Sequence, residues 1–206
     1  MDDDGGMRAS RTLPVGYRLA GSFDLRRPVV LWLNLAAVPL LIGSLMLFAT
    51  LASALRPGVL DVEATSEPGG AAGLVLPILA IVVTAVGVLL FHEGVHGIAA
   101  CLITRSAPSF RFRVLYFSVS ASGWYFPRNS FVAVGLAPLV VITVLGFGLV
   151  LLLPPLGAGL ALFAVALNTA GTVGDGYLCA RLLRLPSTTL IEVHPDRCVF
   201  HVPAAG

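Results

Sequence analysis

The sequence predicts an all-α membrane protein with four transmembrane helices and a short interfacial β-hairpin between the second and third helices. Of its 206 residues, 57% are hydrophobic and 12% are charged, and the mean hydropathy is +0.92. A typical soluble domain has about 25% charged residues. The low charge arises from four long apolar runs, so we expect much of the protein surface to face lipid.

Each apolar run is long enough to cross a hydrocarbon core of about 30 Å, which takes about 20 residues of α-helix. Short segments with glycine, proline and charged residues separate the runs and are predicted loops. The predicted helices cover residues 28–55, 71–104, 129–153 and 157–180. We expect a membrane domain at 29–182, between an N-terminal arm (1–28) and a C-terminal tail (183–206).

The connector between the second and third helices has a different pattern. Residues 110–114 alternate apolar and charged side chains, and residues 118–123 continue the alternation with small side chains. A period of two is typical of β-strands, so this segment predicts one or two strands or a hairpin. Trp124 and Tyr125 follow it and are aromatic residues of the kind found at membrane interfaces. The tail contains a further candidate strand at 198–202.

The distribution of arginine predicts the orientation in the membrane. All thirteen basic residues are arginines, and twelve of them lie in the arm, in the connector 105–128 and in segment 181–197. Because cytoplasmic segments are enriched in Arg and Lys, we expect a multi-pass cell-membrane protein with both termini in the cytoplasm. The lipid bilayer is therefore an expected partner. The net charge of +2 is too small and too dispersed to predict nucleic-acid binding, and the oligomeric state is not predicted.

The second predicted helix contains the motif His92-Glu93-Gly94-Val95-His96. Two histidines four residues apart project from one face of a helix, so both imidazoles can bind one zinc ion. Glu93 lies beside them and can act as a general base toward the attacking water. A charged side chain at the centre of a membrane helix costs about 2.5–3.5 kcal/mol, so such residues usually have a function. The alternative interpretation is a polar patch that joins helices, or a proton relay.

A catalytic zinc site needs a third protein ligand, and few residues qualify. Apart from Glu93, the acidic residue within the predicted helices is Asp175, and the other two histidines, His194 and His201, lie in the tail. The second and fourth helices run in the same direction across the membrane. His92 and Asp175 lie at nearly the same distance from the starts of these helices, so we expect Asp175 rather than His194 as the third ligand.

Asn168 is a candidate substrate-binding residue. It lies seven residues before Asp175, which places the two side chains on one helix face about two turns apart. Its amide can bind a substrate carbonyl or an oxyanion, or it can bond to a neighbouring helix. Both alternatives are open at this point.

These elements resemble the site-2 protease family of intramembrane metalloproteases, which has an HExxH motif, a β-hairpin and a later span with Asn and Asp-Gly. The resemblance implies that His92, His96 and Asp175 bind zinc and that Glu93 is the base. The segment Gly135-Leu136-Ala137-Pro138 is similar to the family's Gly-Pro element. The stretch from Asn168 to Asp175 lacks the family's proline and is one residue shorter.

The small four-span zincin peptidases of unknown function are more similar. They share the short arm motif Leu13-Pro14-Val15-Gly16-Tyr17 and a Gly-Asp pair in the last span. This resemblance extends over most of the chain, although its specific parts are the HExxH motif and the Gly-Asp pair. It implies a peptidase fold without naming a substrate.

The sequence therefore predicts an intramembrane zinc metalloprotease that hydrolyses membrane-protein or peptide substrates within or near the bilayer. The competing hypothesis is a non-catalytic metal-binding scaffold, or a carrier of divalent metal ions or protons that uses the same ligands. The position of Glu93 favours the enzyme, because a simple binding site does not require a glutamate directly after the first histidine.

Overall fold

The computed structural model describes residues 9–24, 27–61, 71–106, 109–113, 116–120, 123–194 and 197–204. The chain forms two compact units. The first, called here the sheet unit, comprises Met1–Leu33, Glu93–Pro138 and Val173–Gly206. The second, called the helical unit, comprises Asn34–His92 and Leu139–Thr172.

The described residues contain five α-helices: α1 (Arg27–Leu55), α2 (Ala71–Thr104), α3 (Arg128–Leu152), α4 (Pro155–Gly171) and α5 (Val173–Leu182). Four segments are long and apolar enough to cross a membrane, namely Val29–Leu55, Val75–Thr104, Arg128–Leu152 and Pro155–Leu182. They confirm the mostly helical class and the four predicted spans. Many apolar side chains on these helices are exposed, such as Leu102 (74%) and Val144 (66%), as expected for helices that contact lipid.

The fourth span, Pro155–Leu182, is interrupted close to Asp175. Helix α4 ends at Gly171 and α5 begins at Val173. At the break, the Thr172 backbone N–H donates to the Asn168 carbonyl at 3.0 Å, and its hydroxyl donates to the Thr169 carbonyl at 2.8 Å. Glycine weakens a helix and a threonine hydroxyl competes for backbone carbonyls, so the break falls within Gly171–Gly174. As a result, Asp175 lies in the first turn of α5.

The predicted hairpin is present between α2 and α3. Strand β2 (Ser109–Arg113) pairs with β3 (Tyr116–Ser120) in an antiparallel register that joins Ser109 to Ser120 and Arg113 to Tyr116. The location of this hairpin at a membrane interface stays a prediction.

A second, four-stranded antiparallel sheet lies elsewhere than the sequence predicted. Its order is β1-β6-β5-β4, and its strands are β1 (Tyr17–Asp24), β4 (Tyr125–Pro127), β5 (Leu190–Val193) and β6 (Arg197–Pro203). Only β6 matches the strand expected at 198–202. A register shift between Leu19 and Gly21 interrupts the alternation in β1. Strands β4 and β5 have three and four residues, which is too short for a clear period of two.

The core of the sheet unit fixes α5 against this sheet. Phe23 from β1, Leu182 from α5, Ile191 from β5 and Phe200 from β6 form one buried cluster. Burying a large apolar side chain stabilises a fold by about 1.5–3 kcal/mol relative to exposure to water. This cluster therefore anchors the end of α5, whose first turn holds Asp175.

The helical unit is packed through small residues. A side chain at Gly146 of α3 would overlap Val165 of α4, so the two helices approach closely, as small residues allow in membranes. Arg56 donates to the carbonyls of Leu151 and Leu153 at 2.9 and 2.7 Å. These bonds satisfy carbonyls in the last turn of α3 and directly after it, where no donor within the helix is present.

Candidate metal centre

His92 is held by a residue of the fourth span. Its Nδ1 lies 2.9 Å from the Asn168 amide oxygen, and the two residues are 9% and 3% exposed. An amide oxygen only accepts hydrogen bonds, so Nδ1 donates and Nε2 keeps its lone pair for a metal. This contact with a neighbouring helix is one of the two alternatives that the sequence left open for Asn168. A contact of Asn168 with substrate stays a prediction.

His96 is held in the same way by a backbone carbonyl. Its Nδ1 lies 2.9 Å from the Val134 carbonyl oxygen in α3. A carbonyl accepts only, so Nδ1 is again the donor, and in the neutral ring the lone pair is then on Nε2. Metal-binding histidines usually donate their second nitrogen in this manner, which fixes the tautomer and the ring orientation.

Pro138 explains why the Val134 carbonyl is available. In an α-helix the N–H of residue i donates to the carbonyl of residue i−4, and Pro138 lies four residues after Val134 within α3. Proline has no backbone N–H, so Val134 lacks its donor within the helix. The bond that this carbonyl makes is partly buried, so leaving it without a donor would be unfavourable. The bond from His96 satisfies this carbonyl.

Asp175 belongs to a group of three residues that could bind one metal ion. Its Oδ2 lies 3.5 Å from His96 Nε2, which is long for a hydrogen bond. In a tetrahedral zinc site with metal–ligand bonds of about 2.0–2.1 Å, two ligand atoms lie about 3.3–3.4 Å apart. The observed separation is therefore close to the edge of such a tetrahedron.

The continuous helix α2 carries both histidines, and their metal-binding atoms and a carboxylate oxygen of Asp175 lie within 4.8 Å of one another. Two imidazoles whose Nδ1 atoms bond to other groups, together with one carboxylate, are a ligand set that zinc commonly takes. The residues present thus fit a zinc ion, and they are the three that the sequence predicted.

The two remaining histidines have another partner. His194 Nε2 and His201 Nε2 each lie 3.0 Å from a carboxylate oxygen of Glu192. His194 follows β5, and His201 lies in β6 opposite Leu190. Neither residue belongs to the group of candidate metal ligands found among the described residues, and Asp175 as the third ligand stays a prediction.

Glu93, His96 and Asp175 line one cavity of about 290 Å³ within the sheet unit. Glu93 is partly exposed and lies directly after His92 on α2, so it faces the cavity without belonging to the ligand group. The rest of the wall is largely apolar and comes from α3, α5 and the sheet: Phe126, Phe131, Val134, Leu178, Val193 and Cys198. The cavity thus has a polar end with the predicted base and an apolar remainder.

Close packing of α3 on α5 shapes this wall. A Cβ added at Gly135 would lie 2.8 Å from the Cys179 sulfur, so a larger residue there would require the Cys179 side chain or the helices to shift. The sequence pointed to Gly135 and Pro138 only through a loose family resemblance. The Val134 carbonyl was missed, although a proline inside an apolar span is a signal that a carbonyl four residues earlier needs another donor.

By fold and site, this is a helical protein with four candidate membrane spans and an HExxH motif whose two histidines lie close to the Asp175 carboxylate. The chain belongs to the family described as putative zincin peptidase, whose model matches residues 73–190. The matched segment includes all of α2 after its first two residues, all of α3 and Asp175, and zinc is the metal that the family description implies. No curated protein and no solved structure matches the chain.

Proposed function

We propose that the protein is a zinc-dependent intramembrane peptidase that hydrolyses peptide bonds of membrane-protein substrates within or near the bilayer. The observation that carries the proposal is the position of Glu93 in the cavity that His96 and Asp175 also line. A site that only stores or carries a metal does not need an additional carboxylate beside its ligands. The membership in a family of zincin peptidases supports the same reaction.

His92, His96 and Asp175 would hold the zinc ion. When bound, zinc supplies a Lewis acid that polarises the scissile carbonyl and lowers the pKa of water. Glu93 accepts a proton from the attacking water and delivers it to the leaving amine. Asn168 and the Val134 carbonyl keep both imidazoles in the tautomer that presents Nε2.

The substrate must reach this site in an extended conformation. The amides of an intact transmembrane helix are occupied by hydrogen bonds within that helix, so its peptide bonds are not accessible. We therefore expect cleavage of segments that unwind locally, near the end of a span or beside it.

Comparison of membrane-protein fragments from cells with wild-type or Glu93→Gln protein tests this function. The peptidase predicts new N-termini, within or next to transmembrane segments, that are present with the wild type and absent with the variant. A metal scaffold or carrier predicts identical fragment sets in both cells, and this outcome would refute the proposal.

We further propose that the protein lies in the cell membrane with both termini in the cytoplasm. Strand β1 from the N-terminal arm, β4 from the connector, and β5 and β6 from the tail belong to one sheet. Strands of one sheet lie on the same side of a membrane, so the three arginine-rich segments share a side. Enrichment in arginine favours the cytoplasmic side.

Cysteine labelling checks this orientation. In a background without the three native cysteines, a membrane-impermeant maleimide added to intact cells should label Asp61→Cys, after α1, and should not label Ser187→Cys, after α5. Both positions are exposed, so both should react after the cells are lysed. Labelling of Ser187→Cys alone in intact cells would show that the protein has the opposite orientation.

A further inference from the structure

The cavity next to Glu93 has mostly apolar walls, which favour apolar groups over charged ones. Away from its polar end, its lining comes from apolar side chains, including Phe131, Leu178 and Val193. Burial raises the pKa of the Cys198 thiol to about 11, which indicates that charge is disfavoured along this wall. A charged group placed there would lose its hydration without gaining a partner.

The size of the cavity suits a side chain. Its volume of about 290 Å³ is at the small end of the range for small-molecule pockets, about 300–1,000 Å³. A space of this size next to the polar end accommodates one large side chain or two smaller ones, but not a folded segment.

Resting on the proposed function, we infer that this cavity binds an apolar side chain, aliphatic or aromatic, of the substrate residue next to the scissile bond. Leu178 lines the cavity from α5, one turn after Asp175, and it limits the size of that side chain. The substrate class is therefore an extended peptide with a large apolar residue beside the cleaved bond.

A peptide series with one varied residue beside the cleavage site tests this inference. The wild-type protein should cleave peptides with Leu or Phe at least about tenfold faster, in kcat/KM, than peptides with Asp or Lys. Leu178→Ala should raise the Trp-to-Leu ratio of kcat/KM by about tenfold or more, since one methylene in an apolar pocket changes discrimination by about 10–200-fold. Leu185→Ala is the matched control, because Leu185 packs against the same core cluster as Leu178 and should leave the ratio unchanged.

The outcomes separate this inference from the proposed function. Cleavage at equal rates for all residues, or an equal shift in Leu185→Ala, overturns the inference alone. If the wild type cleaves no peptide, the proposed function fails, and fluorescence anisotropy of the same peptides on Glu93→Gln protein decides the inference. Tighter binding of the Leu and Phe peptides then supports the cavity as an apolar side-chain site, and equal binding overturns it.

A second inference follows independently from the bond between His96 and the Val134 carbonyl. Pro138 cannot donate to this carbonyl, and His96 Nδ1 lies 2.9 Å from its oxygen. Any other residue at position 138 would bring an N–H that competes with His96 within a continuous helix. We infer that Pro138 is a positioning residue that reserves the Val134 carbonyl for His96 and so orients Nε2 toward the metal.

Zinc affinity, measured by competition with a chelator, tests this role without an activity assay. Pro138→Ala should bind zinc about tenfold or more weakly, as expected when a partner of a metal-binding histidine is lost. Pro39→Ala is the control, since Pro39 is also a helix-interior proline, in α1, and should leave zinc affinity unchanged. Replacing Pro138 with the α-hydroxy acid analogue of alanine, by nonsense suppression, removes the N–H without the ring and should restore affinity.

An unchanged affinity in Pro138→Ala overturns this inference, and so does a hydroxy-acid protein that binds zinc as weakly as the alanine variant. A wild-type protein that binds no zinc would instead overturn the proposed metal centre itself.

Discussion

Glu93→Gln protein should fold and bind zinc normally but hydrolyse peptides about 10²–10⁴-fold more slowly than the wild type. Glutamine keeps the shape of glutamate and most of its hydrogen bonds, but it cannot accept the proton of the attacking water. Removal of a general base typically has an effect of this size. Because Glu93 lines the cavity and is not one of the three grouped ligands, its neutralisation should leave the metal in place.

Three measurements on the purified variant separate the roles that Glu93 can have. Zinc content tests a role as ligand, a thermal melt in detergent tests a role in packing, and peptide cleavage tests the role as base. Asp61→Asn is the control, since it neutralises an exposed carboxylate after α1 and should change none of the three. Cleavage at the wild-type rate by Glu93→Gln would refute the mechanism, and loss of zinc would make Glu93 a ligand.

The parts of the fold that depend on local pattern were predictable from the sequence. Four long apolar runs specify four helices because a bilayer allows few alternatives for a spanning segment. The spacing of His92 and His96 places them on one helix face in any helical structure. The proximity of Asp175 to the two histidines required a further step, in which the depths of His92 and Asp175 in the second and fourth spans were compared. This comparison works because both helices cross a layer of fixed thickness.

The four-stranded sheet was not predictable because it is built from distant segments. Residues of β1 pair with β6 across most of the chain, as in the pair Tyr17 and Pro203. The signals within each segment are weak, since β1 has a register shift and β4 is only three residues long. Only tertiary contacts define these strands, and such contacts leave little trace in a single sequence.

Within the site, too, the features set by local sequence were predictable and those set by tertiary contacts were not. The ligand types follow from the motif, but the contacts of their second nitrogens depend on which helices are neighbours. Asn168 was expected to contact either substrate or a helix, and in the structure its amide oxygen accepts a hydrogen bond from His92. The partner of His96 is a backbone carbonyl, so no residue type at Val134 could have indicated it.

His92→Ala, His96→Ala and Asp175→Ala should each lose zinc almost completely. Each change removes one of the three proposed protein ligands. Loss of a residue that only hydrogen-bonds to a ligand lowers metal affinity about 10–100-fold, and we expect a larger loss of zinc affinity here. His194→Ala and His201→Ala should keep about one zinc per chain, because both histidines bond to Glu192 instead. These two variants are matched controls for the removal of an imidazole.

Zinc content of the five purified variants, measured after dialysis against a weak chelator, checks this expectation. Asp175 is the most informative position, because its carboxylate is the most exposed of the three ligands and the sequence offered His194 as its competitor. Asp175→Asn should also bind zinc weakly, since an amide is a poorer ligand than a carboxylate, whereas a purely structural role for Asp175 would tolerate this change. If Asp175→Ala kept its zinc and His194→Ala lost it, the third ligand would be His194 and the arrangement of the centre described here would be wrong.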